Sequence, residues 1–161
     1  MRQISYDELK IIAKNVAKSI STKGGTYRLV AVARGGLTFA QLVSYYLSKP
    51  LEFFIPAYSE MTGSDYWEMY THFIFLEDVI AEGRTFRIID DYVTRQGLPS
   101  WEMIPVVLDS NAPADIQDRV NTYGMKTSDW IVFPHEDVAH TVEGDRGLFR
   151  AGTSANSNPI I

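Results

Sequence analysis

The sequence predicts an α/β domain built on a mainly parallel sheet. Three observations carry that expectation. Short apolar runs alternate with stretches whose apolar residues recur at helical spacing, from one end of the chain to residue 133. Glycine-containing turns follow two of those runs directly and lead into helical patterns. A chain of 161 residues is long enough for one well-buried core and short for two.

The elements follow in order. Residues 5–20 read as the first helix, with Leu9, Ile12, Ala13, Val16 and Ala17 on one face and Ser5 and Glu8 spaced as a capping box. Gly24 and Gly25 close that unit. Residues 27–33, YRLVAVA, form a buried strand, and Arg34, Gly35 and Gly36 turn it into a helix over 37–48 that Pro50 stops. Residues 51–58 make a further strand. Residues 59–71 are polar, contain Gly63, Tyr66, Trp67 and Tyr70, and read as a long loop or lid. The stretch HFIFLEDVIAEGRTF, residues 72–86, opens as a buried strand whose expected end is at Glu77 and Asp78. It passes through Gly83, Arg84 and Thr85 into a helix ending before Gly97. A strand over 101–108, a helix over 113–123 and a last strand over 129–133 complete the pattern.

Composition narrows the function. There is no cysteine, which excludes disulfides and thiolate metal sites. A net charge of −5 with scattered Lys and Arg argues against a nucleic-acid surface. No apolar run approaches the ~18 residues of a membrane span, and the start lacks a signal-peptide layout, so a cytoplasmic protein is expected. A single domain is expected over residues 1–149, followed by a small, polar tail over 150–161.

In parallel sheets ligands bind beyond the carboxyl ends of the strands. Both the ARGG turn and the EDVIAEGRT loop lie at such ends. The helix start after Gly83 offers free N–H groups to an anion, and Glu77 and Asp78 can hold hydroxyls or a divalent cation. Arg34 suits a phosphate or pyrophosphate, and the paired glycines allow close backbone approach. Each motif alone reads better as an ordinary strand-to-helix turn with solvated charges; their coincidence on one sheet edge favours a phosphorylated ligand. The stretch RIIDDYVTRQG also combines acids and glycine, but no helix can follow it before residue 101, so Asp90 and Asp91 read as solvated helix-surface charges. His135 and His140 with Glu136 do not have the spacing of the H-E-x-x-H zinc helix and read as surface histidines.

VAVARGGL followed by FIFLEDVIAEGRTF resembles the type I phosphoribosyltransferases, most of all the bacterial xanthine-guanine and hypoxanthine enzymes. The resemblance runs over residues 4–137 and includes the late segment TSDWIVFPHED. It implies a mainly parallel central sheet flanked by helices, with a small hood near the termini. It implies transfer of a 5-phosphoribosyl group from phosphoribosyl pyrophosphate to a purine or purine-like base, with Mg2+ and release of pyrophosphate, in a homo-oligomer. Glu77 and Asp78 would hold the ribose hydroxyls directly or through the metal. Ala81, Glu82, Gly83, Arg84 and Thr85 would cradle the 5′-phosphate, and Arg34 and Gly35 would face pyrophosphate. Trp130 would stack on the base, Ile131 would offer backbone groups to its edge, and Glu136 or Asp137 would stand near the second metal.

Three departures from the family bear on chemistry. Where the family has an acid and then Thr or Ser before the loop glycine, this chain has Ala81 and Glu82. Ala81 cannot take a proton, and Glu82 is the nearest substitute base. Where the purine enzymes use a Lys to read the exocyclic oxygen, this chain has Asp109, which accepts hydrogen bonds rather than donating them. The lid lacks Arg and Lys and carries Glu60, Asp65 and Glu68. Two other functions on the same scaffold therefore stand beside transfer: a nucleotide-binding regulatory protein without turnover, and a hydrolase of a glycosidic or pyrophosphate bond using Glu82.

Overall fold

A computed structural model describes residues 1–62 and 69–136. Gly63, Asp65, Tyr66, Trp67 and Glu68 of the expected lid, together with Asp137, His140 and the expected tail over 150–161, lie outside the described residues. The elements are β1 (Arg2–Gln3), α1 (Tyr6–Ser21), β2 (Tyr27–Val32), α2 (Leu37–Leu47), β3 (Leu51–Ile55), β4 (Glu60–Met61), β5 (His72–Ile80), α3 (Arg84–Gln96), β6 (Trp101–Asp109), α4 (Ala114–Gln117), β7 (Met125–Thr127) and β8 (Ile131–Val132). The α/β class and the mainly parallel sheet are as the sequence predicts.

Six strands form the main sheet in the order β4-β3-β2-β5-β6-β7, parallel except for β4. After β3 and β4 the chain crosses back over β2 to lay down β5. The strand order thus reverses between β2 and β5, which opens a crevice beyond their carboxyl ends. A separate two-stranded parallel sheet pairs β1 with β8, Arg2 opposite Ile131 and Gln3 opposite Val132. This small sheet, joining the two ends of the described chain, is the hood.

Each long strand buries both faces, which explains its continuous apolar run. Leu29, Ala31, Ile74, Leu76 and Ile104 pack beneath α1 and α2, with Leu9, Val16, Phe39 and Val43. Val30, Val32, Phe73, Phe75 and Met103 pack beneath α3, with Phe86, Ile89 and Val93. Ser5 caps α1 as expected: its Oγ accepts from the Glu8 N–H at 3.1 Å, and the Glu8 carboxylate accepts from the Ser5 N–H at 2.8 Å. Such a cap stabilises a helix by about 1 kcal/mol.

Several boundaries differ from expectation. β5 does not end at the acids but continues to Ile80. β3 is five residues long and stops before Pro56. The helix expected over 113–123 keeps only Ala114–Gln117. Asn121 competes with the backbone for hydrogen bonds and β-branched Thr122 loses χ1 freedom in a helix, and Arg119 forms a two-pronged pair with Asp90 of α3, at 2.7 and 2.8 Å. Asp90 is therefore not a free surface charge, and Asp91 pairs with Arg95 at 3.0 Å. The strand expected over 129–133 does not join the main sheet. Met125–Thr127 takes the sheet edge beside β6, and only Ile131–Val132 is strand, paired with β1.

Candidate functional site

The two acids sit where β5 loses its regular alternation. Ile74 and Leu76 face α1 and α2 and Phe73 and Phe75 face α3, yet Val79 belongs with the first group and Ile80 with the second. The pattern slips by one residue across Glu77 and Asp78. The Asp78 N–H donates to the Glu77 carboxyl at 3.0 Å, and the Val79 N–H donates to the Asp78 carboxylate at 2.7 Å. The pairing with β6 stays in register through the slip, Glu77 opposite Pro105 and Val79 opposite Val107, so the change is one of facing and not an inserted residue.

The slip gives the two acids different surroundings. Glu77 is 5% exposed. Burial pushes its carboxyl well above the ordinary range, the neighbouring Asp78 charge and side-chain hydrogen bond push it further, and only the Asp78 N–H pulls it back. Asp78 is half-buried and lines the cleft.

The ARGG turn presses directly on this pair. Its first peptide, Ala33–Arg34, is cis. A Cβ added at Gly35 would lie 2.0 Å from Asp78 Oδ2, and one added at Gly36 would lie 2.3 Å from the Leu76 carbonyl oxygen. Only glycine lets β2's turn approach β5 this closely. Arg34 is exposed beside it.

On the other side of Asp78, Ala81 and Glu82 lead to Gly83, which is left-handed at φ 77° and starts α3. No side chain caps this helix, and its first turn carries no acid. The first N–H groups of α3 are thus a ready anion cradle, with Thr85 half-buried in it. Gly83 itself is held over Ile116 of α4, whose Cδ1 leaves no room for a Cβ. Glu82 and Arg84 are both exposed and approach each other at 3.7 Å.

A third group completes the arrangement. Asp78, Asp109, Trp130, Ile131 and Glu136 line one cleft, with Asp129 and Phe133. Its wall is held by the hood: the Arg2 N–H donates to the Trp130 carbonyl at 2.7 Å and the Ile4 N–H to the Val132 carbonyl at 3.1 Å. Burial raises the Glu136 carboxyl above its ordinary range. A 2.6 Å bond from the Phe133 N–H pulls it down, and the Asp78 charge raises it. The cavity measures about 30 Å³, room for a water or two, so a base would occupy the open mouth and not a closed chamber.

The structure therefore brings Asp78, Asp109, Trp130, Ile131 and Glu136 together, with Gly35 against Asp78 and the Ala81–Thr85 turn following on the same strand. Glu77 is buried next to Asp78 and does not line the cleft. Asp129 was not singled out by the sequence; an acid directly preceding Trp130 was the available signal.

No family model and no curated protein matches the chain. Solved structures do. A purine phosphoribosyltransferase from Pyrococcus horikoshii is similar at TM-score 0.68 and 20% identity, over 84% of this chain and 93% of that one. A hypoxanthine-guanine phosphoribosyltransferase from Bacillus anthracis is similar at TM-score 0.62 and 18% identity, over 76% and 79%. The chain has the type I phosphoribosyltransferase fold. A third chain of this fold, a hypothetical protein from Neisseria gonorrhoeae with bound ppGpp, is similar at TM-score 0.66 and 16% identity, over 94% and 98%. The crevice between β2 and β5 lies at the switch in strand order, where parallel sheets bind ligands, and fold alone leaves the chemistry to the residues in it. No helix among the described residues is long and apolar enough to cross a membrane.

Proposed function

We propose that this protein is a phosphoribosyltransferase that moves a 5-phosphoribosyl group from phosphoribosyl pyrophosphate to a purine-like base and releases pyrophosphate. The observation that carries the reading is the juxtaposition around Asp78. The ARGG turn and the Trp130 cleft both meet this one carboxylate, and the strand that carries it runs on through Gly83 into the uncapped start of α3.

The placement supports the following roles. The N–H groups after Gly83 and the Thr85 hydroxyl receive the 5′-phosphate. Asp78 accepts hydrogen bonds from the ribose hydroxyls. Arg34 and the Gly35 backbone face the pyrophosphate, and Trp130 covers the base while Ile131 meets its edge through the main chain. Fixing both reactants along one sheet edge lowers the barrier by orientation, and the acids stabilise positive charge developing on the ribose.

A divalent magnesium ion fits part of this set. Asp78 and Glu136 are carboxylates on one cleft, and hard cations of this kind take one or two carboxylates together with substrate oxygens. Among the described residues no cluster of three or more acids and histidines forms a cage. Glu77, buried and held toward its neutral form, is a poor ligand. When bound, the ion neutralises pyrophosphate charge.

A second reading has its own support. Ala81 removes the acid expected beside the base, and one structural neighbour carries ppGpp. The protein would then bind a nucleotide as a regulator without turnover. Glu82 gives little support to hydrolysis, because it is exposed and faces Arg84.

Calorimetry with phosphoribosyl pyrophosphate and magnesium, followed by a base screen for pyrophosphate release, separates these readings. Micromolar binding with release on one base is the expected result. Binding without release from any base establishes the regulatory reading. Absence of binding, with a nucleotide bound instead, overturns the transferase.

A further inference from the structure

The cleft that meets Asp78 is unusually one-sided in its chemistry. Asp78, Asp109, Asp129 and Glu136 all line it, and no lysine or arginine among the described residues does. Asp109 is the buried member. It ends β6 at 8% exposure. One of its oxygens, Oδ1, accepts from the Asn111 N–H at 2.8 Å, which fixes the carboxylate plane. Its backbone is equally pinned, since the Asp109 carbonyl accepts from the Ala112 N–H at 3.0 Å. The same cavity is walled by Trp130 and Ile131.

An ionised carboxylate held this way offers only acceptors. A group that presents N–H hydrogens to it is bound by a charge-assisted hydrogen bond. A carbonyl oxygen in the same position meets negative charge and leaves both partners unpaired. Sites built around a buried polar partner discriminate far more strongly against the mismatched group than apolar pockets do.

We propose that Asp109 is a specificity-determining residue that makes this cleft select purines carrying an exocyclic amino group over purines that carry only oxo groups. The inference rests on the cleft being the base subsite of the transferase reading. It deepens that reading by naming the substrate class. Asp129 lies in the same wall and adds to the negative potential that an amino edge would meet.

The test is equilibrium binding of four nucleoside monophosphates to the full chain: AMP and GMP, which carry an amino group, and IMP and XMP, which do not. AMP or GMP is expected to bind at least about tenfold tighter than IMP and XMP. Asp109→Asn keeps an oxygen for the Asn111 N–H and turns the other atom into a donor, so the ratio should shrink to about threefold or less. Asp109→Lys should favour IMP, and its melting curve shows whether it folds; Asp109→Asn keeps the test intact if it does not. IMP or XMP bound as tightly as the amino purines overturns the proposal. So does a ratio unchanged in Asp109→Asn, and so does failure of all four to bind. Pyrophosphate release is measured separately. A preserved ratio without release in any base screen sinks the transferase reading and leaves the selectivity standing.

Discussion

Alanine at position 36 is expected to lower the melting temperature by roughly 6–12 °C and to weaken binding of phosphoribosyl pyrophosphate by at least about tenfold. Gly36 has an ordinary right-handed conformation, φ −70°, so its backbone does not require glycine. Its surroundings do. A Cβ there would stand 2.3 Å from the Leu76 carbonyl oxygen, 2.9 Å from the Val32 carbonyl oxygen and 3.1 Å from the Glu77 Cα. All three are backbone atoms of β2 and β5, and none can swing aside as a side chain would. The strands must part at the crevice itself. Overpacking of this kind costs about 3 kcal/mol, and a domain of this size loses about 2–4 °C per kcal/mol. Asp78 follows directly after Glu77, so the same displacement moves the carboxylate on which the site converges. Gly24 is the control: a Cβ there meets nothing within 4 Å. A Gly36→Ala melt matching that of Gly24→Ala would refute the account.

Glu77→Gln is expected to stabilise the protein, and to do so more at pH 8 than at pH 5. The folded chain holds the Glu77 proton above the pH at which the unfolded chain, with its ordinary value near 4.5, releases it. Folding therefore takes up a proton as pH rises past that point. Stability falls with pH until the folded carboxyl also ionises, after which the loss is constant. Glutamine has no proton to lose and keeps an oxygen for the Asp78 N–H, bonded at 3.0 Å in the parent. Asp78 is the charged group facing this position, and it remains in both proteins. Thermal melts of parent and variant across this range measure the difference, at about 2–4 °C per kcal/mol. A gap that does not widen with pH would show that Glu77 titrates like an exposed acid.

These two positions also show what a sequence discloses and what it withholds. The core strands β2, β5 and β6 were readable because burial on both faces demands unbroken apolar runs. α1 was readable from its capping pair. The β1, β4, β7 and β8 strands span two or three residues each, too few to display any period. Their partners are set by tertiary closure. The candidate site was legible as a coincidence of turns on one edge, since Gly35, Gly83 and the acids stand at fixed points of strand-to-helix connections. The one-residue slip across Glu77 and Asp78 was not. Nothing in the order of letters distinguishes two adjacent acids of which one is buried and the other lines the cleft. Asp109 drew attention for its charge, and its burial and anchoring to Asn111 came only from three dimensions.

The hood has a consequence for the order in which the molecule becomes competent. Arg2 and Gln3 pair with Ile131 and Val132, a closure spanning nearly the whole described chain, and such closures carry a large entropic cost that earlier contacts must first reduce. The turn after β5 is seated over Ile116 of α4, whereas the wall bearing Trp130 must wait for Arg2 and Ile4 to reach it from the far end of the described chain. The two halves of the crevice thus mature at different times. A two-residue ribbon is also among the first parts to open under stress. Local fraying would open the Trp130 wall while leaving the main sheet assembled, so the cleft is lost before the fold.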